Sequence, residues 1–286
     1  MKLLMNYPNF ESKEIYKFVR EFLKILDIND EDIEMAKNDV LYREIYISSS
    51  FTHGNNSNKP PREEIYSFYK EMVYIALGKE LIKKKYPQNF YVSRRTWINE
   101  NTDNIGTNYT KKRKCENEDE LVRYLSKLGY VEVFTEELST IEKIVLFSQA
   151  KNIVGLIGGG LCNVLFCQEE TNLLCIVSPT FLEINERFKY SFSKVKTKYF
   201  SDTQHTDSGL FKRYMRVTNN KNIIGEIEEV YDDNVLVSYT DSFVAGWNSK
   251  LQLKKVILKK SDLVPLDNGL NSPFLINMKN IEDCEL

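Results

Sequence analysis

Between residues 89 and 177, short apolar runs recur with a helix-sized amphipathic segment between them, and this alternation restricts the chain more than any other feature. Phe90-Tyr91-Val92-Ser93, Val131-Glu132-Val133-Phe134, Ile153-Val154 and Leu173 to Val177 read as strands. After the first of them, Asn117 and Glu120 make a capping-box-like start for a helix carrying Leu121, Leu125 and Leu128. After the second, Ser139 and Glu142 cap a helix through Ile144, Val145 and Phe147. Strands separated by helices at this spacing need crossover connections, which predicts a parallel α/β sheet.

The flanking regions read differently. Lys2 to Met5 has the pattern of a short strand, and Ser12 offers an N-cap before an apolar stripe at Ile15, Phe18, Val19, Phe22, Leu23 and Leu26. Glu44 to Ile47 reads as a strand entering the polar loop SSSFTHGNNSNKPP, after which Arg62-Glu63-Glu64 opens a helix with Ile65, Phe68, Tyr69 and Met72 on one face. Beyond residue 216 the β-rich segments Ile223 to Glu229, Val235 to Tyr239 and Lys254 to Leu258 follow one another without a helix, predicting a small antiparallel barrel or sheet.

Composition removes several classes. A net charge of −2 argues against a dedicated nucleic-acid binder, which carries a basic surplus. The sequence holds no apolar run near the roughly 20 residues that span a bilayer. The start MKLLMNYPNF turns polar too soon for a secretory signal, so a cytoplasmic location is expected. The five cysteines include no CxxC pair and read as buried thiols rather than disulfides or zinc ligands.

Directly after Ile153-Val154 comes GLIGGGLCN, residues 155–163, with four glycines in six positions. A strand-to-helix turn at the carboxyl edge of a parallel sheet is where α/β proteins take ligands. Glycines there let a phosphate approach the backbone, and the N–H groups of the helix start attract its charge. The spacing is neither GxGxxG nor a Walker loop, and close packing of strand on helix also uses glycine, so both readings stand at this point. Arg94 and Arg95 leave the strand FYVS at the same edge, and Arg suits bidentate contact with phosphate oxygens. The run Lys111 to Lys114 reads as a solvated basic loop. Asp30-Glu31-Asp32 is a literal DxD but follows a helix and a turn, so it reads as a solvated helix-entry cluster, not a metal site.

YVSRR, then RKCENEDELVRYLSKLGYVEVFTEELSTIEKIVLFSQAKNIVG, then GGGLCNVLF resemble, in order and spacing, the catalytic region of glycosyltransferase family 61. Within that resemblance Arg94 matches the family's Arg after the strand, and Asn117-Glu118 match its Asn-Glu. Gly158, Gly160, Leu161 and Asn163 match its glycine motif. Two positions depart: the family's His before the first motif glycine is Ile157 here, and its frequent Gln is Lys143.

The resemblance implies an α/β fold of two Rossmann-like domains, the B-type glycosyltransferase architecture, with the β-rich, barrel-like C-terminal piece as an appendage. The expected divisions are residues 1–88 on the acceptor side, 89–215 on the nucleotide-sugar side and 216–286 for the β-rich domain. It also implies a nucleotide-sugar donor, a glycan acceptor, inversion at the anomeric carbon and no metal cofactor; a homodimer is compatible with it. Arg94, with Arg95 or Lys143 in support, is expected to meet the diphosphate, together with the amides from Gly158 through Gly159 and Gly160 to Leu161. Ser178, leaving the strand LLCIV, is a candidate for contact with the nucleotide. Candidates for the base are His53 in the FTHGNN loop, His205, and Glu136 or Glu137 after VEVFT, with Glu137 the leading carboxylate. Trp97 and Trp247 are candidates to stack on sugars, or core residues.

Overall fold

The structure, a computed structural model, describes residues 2–5, 15, 17–36, 39–46, 59–79, 85–95, 112–219, 224–239 and 254–284. Strand β1 (Leu3–Met5) pairs in parallel with β2 (Ile33–Met35), and helices α1 (Lys17–Ile25) and α2 (Glu63–Lys79) follow the predicted apolar stripes. Then come β3 (Asn89–Val92), α3 (Glu118–Lys127), β4 (Val131–Val133), α4 (Thr140–Ser148), β5 (Asn152–Leu156), β6 (Asn172–Ile176), the short helices α5 (Phe181–Ile184) and α6 (Arg187–Ser191), and β7 (Lys196–Phe200). This is a mixed α/β chain with parallel sheets, as the alternation predicts.

The main sheet has the order β4-β3-β5-β6-β7 with every neighbouring pair parallel. The chain steps from β3 outward to β4, returns across β3 to β5, and continues to β6 and β7. This is a doubly wound sheet with its reversal between β3 and β5. Successive side chains of a strand point to opposite faces, so each strand feeds two cores. Phe90, Val92, Ile153, Leu173 and Cys175 pack with α4 and with Ile25, Met72 and Ala76 of the N-terminal helices. Tyr91, Val154, Leu156, Leu174 and Ile176 pack with Leu121 and Leu125 of α3.

Local chemistry explains where the elements start. Ser139 accepts a hydrogen bond from the Glu142 N–H at 3.2 Å, and Glu142 reaches back to the Ser139 N–H at 3.0 Å, so the predicted capping box at α4 is present. The box predicted at Asn117 and Glu120 is not. Asn117 makes no side-chain cap, because its amide is used in a tertiary contact: Nδ2 donates to the Ile276 carbonyl at 2.8 Å and Oδ1 accepts from the Ile276 N–H at 2.9 Å. Glu44 to Tyr46 is not a strand; Ile47 and Ser12 lie outside the described residues. Asp30–Asp32 is a tight 3-10 turn in which Asp32 accepts from the Asn29 N–H and Asp30 pairs with Arg20.

After β7 the chain forms β8 (Thr203–His205), β9 (Arg216–Asn219), β10 (Ile224–Val230), β11 (Asn234–Tyr239), β12 (Lys254–Lys259), β13 (Leu263–Pro265), β14 (Phe274–Ile276) and α7 (Met278–Glu282). Of the barrel or sheet expected here, the structure shows an open sheet. Its order is β12-β11-β10-β9-β13, and the outer strands β12 and β13 do not pair among the described residues. Its core is Phe211, Met215, Val217, Ile227, Val235, Val237 and Leu263. The predicted absence of a helix after residue 216 is also corrected, by α7. A second Rossmann-like sheet is not seen among the described residues: the N-terminal strands form only the β1-β2 pair.

The last described segment returns to the α/β unit. β14 pairs with β8 on one side, while the Glu116 N–H donates to the Phe274 carbonyl and the Phe274 N–H to the Lys114 carbonyl. Phe274, Ile276 and Ile281 enter the core beneath α3. Asn117→Ala should therefore lower stability by about 2 kcal/mol, since it strips partners from a buried strand at both N–H and C=O. An unchanged urea midpoint would show that the Ile276 contact contributes nothing. No helix among the described residues is long and apolar enough to cross a membrane.

Candidate functional site

The carboxyl ends of β4, β3 and β5 lie side by side and bring three segments together: Thr135–Glu137, Ser93 to Arg95, and the glycine turn. The reversal between β3 and β5 falls between the last two, the position where an open α/β sheet leaves a crevice.

Leaving β5, Ile157 still donates its N–H to the Ile176 carbonyl at 2.9 Å. Gly158 is extended, and Gly159–Phe166 coil as a 3-10 helix. The Leu161 N–H bonds to the Gly158 carbonyl at 3.1 Å. It is therefore not among the exposed amides, and its side chain, 0% exposed, is core. The N–H groups of Gly158, Gly159 and Gly160 make no hydrogen bond among the described residues. Asn163 donates to the Gly160 carbonyl at 2.8 Å and so fastens the turn from within.

The three glycines are needed for different reasons. A Cβ on Gly160 would lie 2.6 Å from Thr135 Oγ1 and 3.3 Å from Val92 Cγ1, so this glycine lets two strand ends close on the turn. A Cβ on Gly158 would lie 3.2 Å from Arg94 Nη1 and 3.5 Å from Arg113 Nη2. A Cβ on Gly159 would meet nothing within 4 Å. Packing thus accounts for Gly160 and the arginines for Gly158, while Gly159 borders open space.

Two guanidinium groups converge on this turn. Arg94 Nη1 donates to the Ile157 carbonyl at 3.2 Å and Arg113 Nη2 donates to the same oxygen at 3.3 Å. Arg113 is buried and stacks 4.1 Å over the Phe181 ring. The sequence reading missed Arg113 because it sits in a run of four basic residues. The described residues of the run, Lys112 to Lys114, are not the solvated loop expected of them, for Lys112 pairs with Glu226 at 2.6 Å and Arg113 is buried.

Arg94 is placed by Glu118. This carboxylate is 1% exposed, and its Oε1 accepts from the Tyr91 hydroxyl at 2.7 Å, the Ser93 hydroxyl at 3.1 Å and the Arg94 N–H at 2.8 Å. Burial pushes Glu118 above the ordinary carboxylate range, and the Arg94 N–H, Tyr91, Ser93 and the Arg94 charge oppose that shift. Burial likewise pulls the Arg94 guanidinium down, against the attraction of Glu118, Tyr91 and Glu136.

The remaining candidates divide. Arg95 points elsewhere: it bonds Glu132 at 2.9 and 2.6 Å and also contacts Asp119, and these carboxylates hold its charge firmly in place. Glu136 is half-buried, whereas Glu137 is exposed. Glu136 interacts with Lys143 at the start of α4 as well as with Arg94. Ser178 is 3% exposed and its Oγ has no partner among the described residues. Thr180, two residues on, has φ 63° and a buried, unpartnered hydroxyl. His205 lies in β8, paired with Phe274 of β14, and burial lowers its pKa. His53, Trp97 and Trp247 lie outside the described residues.

The fold and the site together define a class, the doubly wound α/β proteins that carry a glycine turn and cationic side chains at the switch point of the sheet. Within it, residues 4–174 match the family model Glycosyltransferase 61, more than half of the chain, and the chain belongs to that family. It is accordingly a glycosyltransferase, with a donor and an acceptor as substrates. No curated protein matches the chain.

Proposed function

We propose that the chain is an inverting glycosyltransferase that moves a sugar from a nucleotide-linked donor, with uridine diphosphate as leaving group, to a hydroxyl of a glycan acceptor. The observation that carries this reading is the N–H trio at Gly158, Gly159 and Gly160, unbonded among the described residues, beside two arginines on one carbonyl. Successive unpaired amides form an anion-binding concavity. The charge that grows on the departing diphosphate is then met by fixed donors and guanidinium groups, which need no reorganisation as the bond breaks. On this reading the arginines supply the positive charge, and the donor lies across the β3-β5 crevice.

Gly159→Val separates binding from folding. Its side chain enters open space, so the melting temperature should hold while affinity for uridine diphosphate falls at least tenfold. Isothermal titration calorimetry reads the outcome, and unaltered affinity would leave the glycines a packing device alone. Gly160 is a poor test, since Thr135 and Val92 occupy the space a side chain would need.

One observation favours a second reading, a degenerate relative that binds the nucleotide without turnover. Ile157 stands where the resemblance expects His, and its side chain is 1% exposed within the core. Binding of uridine diphosphate without release of sugar from any nucleotide-sugar in a donor panel would establish that reading instead.

A further inference from the structure

The transfer chemistry just proposed needs a base for the acceptor hydroxyl, and position 157 supplies an apolar side chain sealed in the core. Three other carboxylates near this edge are engaged. Glu118 is enclosed and engaged by three donors through Oε1, while Glu132 and Asp119 hold Arg95. His205 lies in the separate β8-β14 pair.

We propose that Glu136 is the general base of the transfer. Thr135, the preceding residue, touches the glycine turn, for its Oγ1 is the atom a Cβ on Gly160 would strike at 2.6 Å. That contact fixes the Thr135–Glu137 turn against the anion-binding amides, on the side of β3 opposite β5. The Glu136 carboxylate is half-buried and sits in the field of Arg94 from the end of β3 and of Lys143 from α4, with Glu137 on its own turn. Burial, with the neighbouring Glu137 charge adding to it, raises its pKa above the ordinary carboxylate value, against Lys143 and the Thr135 hydroxyl. A raised value brings a carboxylate closer to the operating range of a base.

The step balances as follows. Glu136 accepts the acceptor O–H proton as that oxygen forms its bond to the anomeric carbon. The bond from that carbon to the phosphate oxygen breaks, and its electron pair leaves with the nucleoside diphosphate, beside the turn amides and Arg94.

This inference rests on the transfer reading, and the experiment separates the two. Glu136→Gln, Glu137→Gln and His53→Gln chains are compared with the parent for uridine diphosphate affinity and for sugar transfer over a panel of oligosaccharide acceptors. Glu136→Gln should keep nucleotide affinity within twofold and lose at least about 100-fold in kcat. The parent's kcat/KM should rise with pH through the raised carboxylate pKa, and the residual activity of the variant should lack that acidic limb. Glu136→Asp should restore part of the rate. The proposal is overturned if Glu136→Gln retains turnover, or if its losses are exceeded by those of Glu137→Gln or His53→Gln. A parent that binds the nucleotide and transfers to no acceptor overturns the transfer reading and the base together.

Discussion

Arg94→Ala should weaken uridine diphosphate binding and sugar transfer by roughly 100- to 1000-fold, the cost of removing one fixed donor from a developing oxyanion. The side chain has two jobs at one place. On the transfer reading it brings charge to the crevice, and it holds the Ile157 carbonyl at the start of the glycine turn. Arg113 donates to the same carbonyl, so the turn keeps one guanidinium contact in the variant. The loss of stability should stay near 1–2 kcal/mol, in line with one charge-assisted hydrogen bond. Arg94→Lys distinguishes the two jobs: lysine retains the charge but not the planar fork, and it should recover only a minor part of the affinity. Full affinity in a folded Arg94→Ala chain would remove the guanidinium from the donor site.

Glu118→Ala should be the most destabilising of the substitutions considered, by about 3–5 kcal/mol. Its removal leaves the Tyr91 and Ser93 hydroxyls and the Arg94 N–H without their acceptor in a buried site, at a cost of about 1–3 kcal/mol each, and relief from burying a carboxylate offsets part of it. Glu118→Gln keeps an acceptor oxygen and should lose much less. The pair also carries a pH signature. Because burial raises the folded-state pKa above the ordinary 4.5, the folded chain binds this proton more tightly than the unfolded chain does. The stability that proton confers is fully present below about 4.5 and is lost as pH climbs through the raised value. Glu118→Gln should flatten that segment of the stability profile; an identical slope in both chains would mean that Glu118 does not titrate there. Chemical denaturation at several pH values reads both effects.

The parallel sheet was legible because its signals are local. The strand runs at Phe90, Val131, Ile153 and Leu173 and the Ser139–Glu142 cap each lie within a few residues, and all appear where expected. The glycine turn and Arg94 were legible for the same reason, as both follow strands at one edge. What stayed hidden depends on distant partners. Arg95 looks equivalent to Arg94 until β4 delivers Glu132 beside it. Asn117 resembles a cap until Ile276 arrives. Arg113 is disguised by its basic neighbours, and only the Phe181 ring and the Ile157 carbonyl distinguish it. Whether an antiparallel sheet closes into a barrel turns on its two outer strands meeting, which no run of residues encodes by itself.

The pair of hydrogen bonds between Asn117 and Ile276 has a consequence for how the chain matures. The two residues are 159 positions apart, so during synthesis the segment bearing Arg113 and Glu118 emerges long before the strand that clamps it. Contacts of such sequence separation are slow to form. The glycine turn and its arginines should therefore be among the last parts to set, and a nascent chain halted before β14 would present a parallel sheet whose β3-β5 edge is not yet secured.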